Sequence, residues 1–538
     1  MGLKGRGHHW RWMGVIDKNI RRMKNRDFKA AWDYHNGTKH SYQSIRSSRH
    51  YLDWENQPIP FKIYPNVAPI PLPQHLSSSG IAALDAISMS GAVGQREAIP
   101  SIRTLAEILF LSAGITKRRS YPGGEMLFRA AACTGALYHI DLYLICGDLV
   151  DLEAGVYHFS PQDFALRRLR SGDDRGVLVR ASGREPAMAD APVIVACAST
   201  FWRNAWKYQA RAYRHGYWDN GTILANLLAA AAVRNVPAKV VIGFVDETVN
   251  QLLGLNSIRE AAISLVALGS APSKSIGACS PLDPLSLETV PLSKTEIDYP
   301  AIRAMHEASS LEGEEEVLAW REKAKQKQKD ESGKEGRILP LRSVSDREIF
   351  QDTIEEVIPR RGSTREFSRE SISFGQLSTM LDRATRGIPA DFLASEEQSL
   401  TDLYLIVHAV DDLPSGAYVY RRDQHALEPL KEGTFRREAG YLGLGQDIPA
   451  DCSVNVYFLA DLDRVLERFG NRGYRAAQLE AAIMGGKLYL AAYAQKLGAS
   501  GLTFFDDDVT EFFSPHAAGK SVMFLIALGK SAKRKDLR

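Results

Sequence analysis

Cysteine is scarce in this sequence and never paired at short range. Cys133, Cys146, Cys197, Cys279 and Cys452 are the five, and none forms a CxxC. Such a scattered, odd-numbered set excludes a disulfide framework and a cysteine zinc site, and points to reduced thiols in a cytoplasmic setting. Long apolar runs are also missing. The best stretch, 223–233, is interrupted by Asn226 and falls short of the roughly 18 residues a membrane span needs. The basic start of the chain has no apolar core, so it does not have the form of a secretory signal; a solvated extension is expected. Net charge is small: Lys+Arg 67 against Asp+Glu 64 leaves +3, which excludes a dedicated nucleic-acid binder. GxGxxG after a strand, GxxxxGK[ST], HExxH and GxSxG are all absent, so Rossmann, P-loop, zincin and hydrolase chemistries lose support.

What is present is a duplication. Asp141-Leu142-Tyr143-Leu144-Ile145 recurs as Asp402-Leu403-Tyr404-Leu405-Ile406, an offset of 261 (402 − 141). The same offset carries Gly155-x-Tyr157 onto Gly416-x-Tyr418 and Arg211-x-Tyr213-Arg214 onto Arg472-x-Tyr474-Arg475. It also carries Phe244-x-Asp246 onto Phe505-x-Asp507. A register held over about a hundred residues is not chance. Within each unit an apolar helix (105–113; 377–384) precedes strands, then a long Ala/Leu-rich helix (219–233; 478–495) and a short closing strand. Ser373-x-x-Gln376 is a capping-box signature. Mixing of this kind without βαβ alternation predicts an α+β fold. Two homologous units can pack as the protomers of a symmetric dimer, here within one chain. The expected organisation is an N-terminal extension (1–74), a first unit (75–270), a charged linker (271–344) and a second unit (345–538). The extension from His35 to Pro73 is expected to wrap over the surface, and 312–337 to be a surface helix or linker.

Four segments carry candidate chemistry. Arg361-x-Ser363-x-Arg365 offers two guanidinium forks around a hydroxyl, suited to a phosphate, or else an exposed basic turn. Cys133-Thr134-Gly135-Ala136 is small enough for a flat ring to approach its backbone, or else is a tightly packed helix end. Gly501-Leu502-Thr503 could present backbone N–H groups to a ligand, or else follows an ordinary C-cap glycine. Lys207-Tyr208 places an amine beside a phenol, a base only if its pKa is lowered. Asp506-Asp507-Asp508 could bind Mg²⁺, but the match of Asp507 to Asp246 favours a structural role; no metal site is assigned.

Together these segments, with the leader YHNGTKHS…LDWENQPIPFKIYP, resemble the nitroreductase-like flavoproteins, and more narrowly the SagB/ThcOx-type flavin dehydrogenases, over about 35–530. The resemblance implies a mainly antiparallel sheet flanked by helices, with FMN bound where two units meet. It implies that Arg361, Ser363 and Arg365 hold the FMN phosphate. Cys133, Thr134, Gly135 and Ala136 would lie near the ring, Gly501, Leu502 and Thr503 near its pyrimidine side and N5, and Lys207 and Tyr208 would serve acid/base chemistry. The chain departs from the family pattern at Ala132-Cys133, His139 and Phe504, where Pro-Ser, Pro and Gly are usual. The implied activity is FMN-dependent oxidation, with azoline rings of a modified peptide as one substrate class and a cyclodehydratase as partner. The alternatives are an NAD(P)H-dependent nitro or quinone reductase and a flavin-free scaffold. The copies differ: offset 261 places Cys133–Ala136 on Ala394-Ser395-Glu396-Glu397 and Lys207-Tyr208 on Arg468-Phe469, so one complete site per chain is expected.

Overall fold

The structure, a computed structural model, describes residues 25, 27–89, 97–122, 124–271, 282–325, 337–342, 350–395 and 398–532. Most of the basic N-terminus, Cys279, residues 326–336 of the charged stretch, and Glu396 and Glu397 lie outside them. Two seven-stranded sheets repeat one topology. The first runs, edge to edge, Pro69–Pro71, Ala165–Ser171, Gly155–Ser160, Ile140–Cys146, Val193–Thr200, Glu260–Leu268, Ala238–Val241. The second runs Leu339–Pro340, Ala426–Glu432, Gly416–Arg421, Asp402–Val407, Val454–Ala460, Ser521–Gly529, Gly498–Gly501. Every pairing within them is antiparallel. Each unit takes its outermost strand from the segment ahead of it, so the sheets reach beyond 75 and 345. Residues 498–501, for which a helix C-cap is the alternative to a ligand-facing segment, are themselves an edge strand. The central strands are buried along their whole length and read as near-continuous apolar runs. Among the described residues no helix is long and apolar enough to cross a membrane.

The helices begin earlier than the apolar pattern marks: Ile102–Ala113 and Phe374–Thr385, then Ala212–Ala232 and Arg472–Ala494. Ser373 does cap its helix, its Oγ accepting from Gln376 N at 3.1 Å while Gln376 Oε1 accepts from Ser373 N at 3.0 Å. The two long helices are buried on nearly all sides because they pack against each other as well as against their sheets. They touch through small residues. A Cβ on Gly221 would sit 2.4 Å from Ala482 Cβ, and one on Gly486 would sit 2.6 Å from Ala225 Cβ. Gly221 and Ala482, like Ala225 and Gly486, are the same position in the two copies (offset 261), so the contact has the two-fold character of a dimer interface.

Mirrored ion clusters lock this contact. Arg211 and Arg214 of the first copy donate to Asp506 of the second, at 3.0 and 2.6 Å. Arg472 and Arg475 of the second copy donate to Asp246 of the first, each at 2.6 Å. The true partner of Asp246 is therefore Asp506, not Asp507; the register slips by one ahead of that loop. Asp506 is consumed as an arginine acceptor, which removes the magnesium alternative.

The repeat also extends beyond the two units. Helix Lys29–Gly37, at the start of the segment expected on the surface, buries Tyr34 and His35, whereas helix Tyr42–Ser47 buries none of its residues. His35 O accepts from Arg214 and Thr38 O from Arg211. In the mirror cluster His306 O accepts from Arg475 and Ser309 O from Arg472, from helix Pro300–Ala308. His40 N donates to Asp506 as Leu311 N does to Asp246. All three pairs share an offset of 271 (306 − 35), which went unseen because few side chains match. The linker contributes a second buried piece: helix Glu314–Ala324 buries Val317, Trp320 and Ala324. Its mixed charge describes only its outer face.

Candidate functional site

Asp219 lies within the first long helix, at a position where the second copy also has an acid, Glu480. Its buried carboxylate organises the segment ahead of strand Ile140–Cys146. Oδ1 accepts from Thr134 N at 2.8 Å and Thr134 Oγ1 at 2.7 Å. Oδ2 accepts the Cys133 thiol at 3.0 Å and lies 2.9 Å from His139 Nε2. Thr222 Oγ1 adds a bond to Ala132 O at 2.6 Å. So held, residues 134–136 form a single 3-10 turn in which Gly135 (φ 65°) and Ala136 (φ 55°) are left-handed. Glycine is required at 135 on two grounds. Its backbone is left-handed, and a Cβ there would meet the Tyr208 hydroxyl at 2.8 Å. Burial, then the charge of Asp219, pushes the Cys133 thiol well above its ordinary pKa. At neutral pH it is a packed donor, not a nucleophile.

Helix Phe201–Tyr208 delivers Lys207 and Tyr208 to this turn. Lys207 Nζ stands 5.4 Å from the centre of the Tyr208 ring. The Tyr208 ring packs edge-on against His215 at 4.6 Å. Burial raises the Tyr208 phenol well above its usual range; Asp219 adds to this, and the nearby Arg365 guanidinium opposes it. At neutral pH the phenol is therefore a hydrogen-bond donor.

The second copy supplies the other half. Helix Ile354–Arg360 ends at the basic segment. Arg361 Nε and Nη2 donate to Ala130 O and Arg129 O, both at 3.0 Å, just before the Cys133 turn. Arg365 is exposed and within electrostatic reach of Tyr208. Ser363 Oγ is 3.2 Å from the Tyr489 hydroxyl, which accepts the N–H of Gly501. Leu502 N donates to Leu525 O. The Thr503 hydroxyl is buried and has no hydrogen-bond partner among the described residues. All four sequence-selected segments thus meet at one junction of the two copies. Sequence reasoning misses Asp219 and Tyr489, and marks His139 only as a departure from the family pattern. Asp219 had a signal, an acid at the same position in both copies of the long helix.

The residues fit a flavin mononucleotide in kind. A left-handed glycine leaves a flat approach to backbone, an orphaned buried hydroxyl awaits a partner, and a basic fork borders both. Comparison with known proteins agrees with the architecture. The nitroreductase family pattern matches residues 126–270 and 358–530, one match per copy. A crystal structure from Anabaena variabilis that carries the nitroreductase name is 25% identical and aligns over 94% of this chain and 99% of its own, with a TM-score of 0.73. A Methanocaldococcus jannaschii protein carrying the same name is 25% identical over 169 residues, 31% of this chain and 80% of that protein. The trifolitoxin-processing protein TfxB of Rhizobium leguminosarum bv. trifolii is 30% identical over 149 residues. That match spans 27% of this chain and 40% of TfxB.

Proposed function

The chain belongs to the nitroreductase family of oxidoreductases, and we propose that it is an FMN-dependent dehydrogenase working on a heterocycle in a modified peptide. The observation that carries the flavin assignment is the junction itself. Basic, small and amide-bearing segments from opposite copies meet there, and the buried Thr503 hydroxyl has no hydrogen-bond partner among the described residues. Arg361, Ser363 and Arg365 are the residues that would hold the phosphate, and Cys133–Ala136 and Gly501–Thr503 those that would flank the ring. When bound, FMN supplies hydride acceptance, which no side chain here offers.

The remaining work falls to the protein. Asp219 fixes the Cys133–Ala136 turn, so the segment that would flank the ring is held in place before substrate arrives. Tyr208, kept protonated by burial, donates a hydrogen bond or a proton to a substrate heteroatom. Lys207 beside it is the candidate to take the proton a ring oxidation releases, a role open only to its neutral amine. The named role of TfxB in trifolitoxin processing supports a peptide as substrate. Likeness to the SagB/ThcOx-type enzymes supports azoline-to-azole oxidation beside a cyclodehydratase. The described cysteines are all free, which suits a reducing, cytoplasmic setting.

The test is the visible spectrum of purified protein supplemented with FMN, repeated for Arg361→Ala/Arg365→Ala. Charge-assisted phosphate bonds contribute about 1.5–3 kcal/mol each, so the double variant should lose about two to four orders of magnitude in FMN affinity while keeping its circular dichroism. Flavin retained at full occupancy would refute the phosphate assignment. Anaerobic mixing with NAD(P)H and, separately, with an azoline-bearing peptide then distinguishes the activities. Bleaching of the flavin by the nucleotide alone would favour a reductase.

A further inference from the structure

Duplication creates a mirror image of the site just described, where the first copy's Val240–Phe244 loop takes the place of Gly501–Phe505. There the structure differs in one decisive way. The second copy's chain, leaving helix Phe374–Thr385, turns directly into the mirror site. Val240 N donates to Pro389 O at 2.8 Å, and Asp391 N donates back to Val240 O at 3.0 Å. The Asp391 carboxylate then accepts the amides of Ile242 and Gly243, at 2.9 and 2.8 Å. Val240 pairs with Val266 as Gly501 pairs with Ile526, which keeps the offset at 261 through the strand ends. Ile242 and Gly243 are thereby set against Thr503 and Phe504. The one-residue slip that aligns Asp246 with Asp506 falls between them and that aspartate. In the open site those two amides have no acceptor among the described residues, and the Thr503 hydroxyl is orphaned.

A second layer closes over this plug. Trp320, 2% exposed, donates its Nε1 to Phe469 O at 3.0 Å, and the two rings meet at a tilt with centres 5.4 Å apart. Phe469 occupies the position of Tyr208. A Cβ added to Gly243 would lie 2.7 Å from Asp391 Oδ2 and 3.0 Å from the Trp320 ring, so no space remains between them. In the N-terminal arm, the next helix after the Lys29–Gly37 cap is Tyr42–Ser47, and it buries none of its residues. The same architectural slot is thus folded down over one site and left off the other.

We propose that the mirror site is permanently filled by the chain's own Pro389–Asp391 segment, with Asp391 standing in for the acceptor edge of a flavin, so that each chain carries one cofactor. The count rests on the flavin reading above, whereas the seal does not. Glu396 and Glu397, which the offset of 261 sets against Gly135 and Ala136, lie outside the described residues; the carboxylate that meets the mirror-site amides belongs to Asp391, five residues earlier.

Two measurements separate the ideas. Flavin released by denaturation and quantified against protein should give one per chain; two per chain would overturn the proposal. No flavin at all would refute the flavin reading and leave the seal to the second measurement. That measurement is hydrogen exchange of peptides spanning 238–246 in flavin-free protein. Slow exchange is expected in the wild type, faster by tenfold or more in Asp391→Ala, and intermediate in Asp391→Asn, which keeps one acceptor oxygen. Rapid exchange in the wild type, or no change in either variant while both keep their circular dichroism, would overturn the seal. If Asp391→Ala does not fold, Asp391→Asn alone decides.

Discussion

Removing the Asp506 carboxylate tests whether the two copies are held by their mirrored ion clusters. Asp506 is about 2% exposed, and the side chains of Arg211 and Arg214 are 3% and 0% exposed. Asp506→Ala would leave two guanidiniums in the interior without their carboxylate. Breaking a buried pair in this way costs about 3–5 kcal/mol, because the stranded charge keeps its desolvation penalty. Asp246→Ala should cost a similar amount, since Asp246 holds Arg472 and Arg475 through the same geometry. The clusters share no residue, so the losses should add to about 6–10 kcal/mol. That is comparable with the whole stability of a typical protein, and the double variant should not fold at ambient temperature. Urea titration followed by tryptophan fluorescence measures each step. A loss below about 1 kcal/mol in either single variant, or a folded double variant, would refute the reasoning.

The same clusters predict an acid limb. Burial alone would raise the Asp246 carboxyl, but Arg472 and Arg475 overcome it and hold it at about 2. A depressed carboxylate contributes stability that is complete above its unfolded value, about 3.9, and is lost as pH falls through the folded one. The contribution, roughly 2–3 kcal/mol, should therefore disappear between about pH 4 and pH 2. Asp246→Asn should flatten that limb of the urea midpoint against pH.

The other predictions concern the site. The Cys133 thiol, raised by burial and by Asp219, should resist an alkylating reagent at pH 7.5 in native protein and react promptly in urea, while fast native labelling would contradict the Asp219 contact. Tyr208→Phe should lower turnover by about 10²–10⁴-fold with flavin content unchanged, as expected for loss of an acid/base group; parallel loss of flavin would mark Tyr208 as structural.

The repeat, the α+β class and the four candidate segments could be read from the residues, because each is a local pattern: a recurring five-residue strand, a capping box, a glycine-bearing turn, a basic triad. Their convergence could not. Arg361 lies 231 residues from the Ala130 carbonyl it binds, and only the packing of the two long helices, Gly221 against Ala482 and Gly486 against Ala225, brings them together. The mixed charge of the linker hid Trp320, since one buried aromatic per helix leaves composition polar. The 271-residue echo between His35 and His306 stayed hidden because it is carried mainly by backbone carbonyls, which any residue supplies. Sequence by itself determined that two similar units exist and that their functional residues have diverged. Tertiary structure decided that Asp391 meets the amides of Ile242 and Gly243 while those of Thr503 and Phe504 have no acceptor among the described residues, a matter of where distant chain segments come to rest.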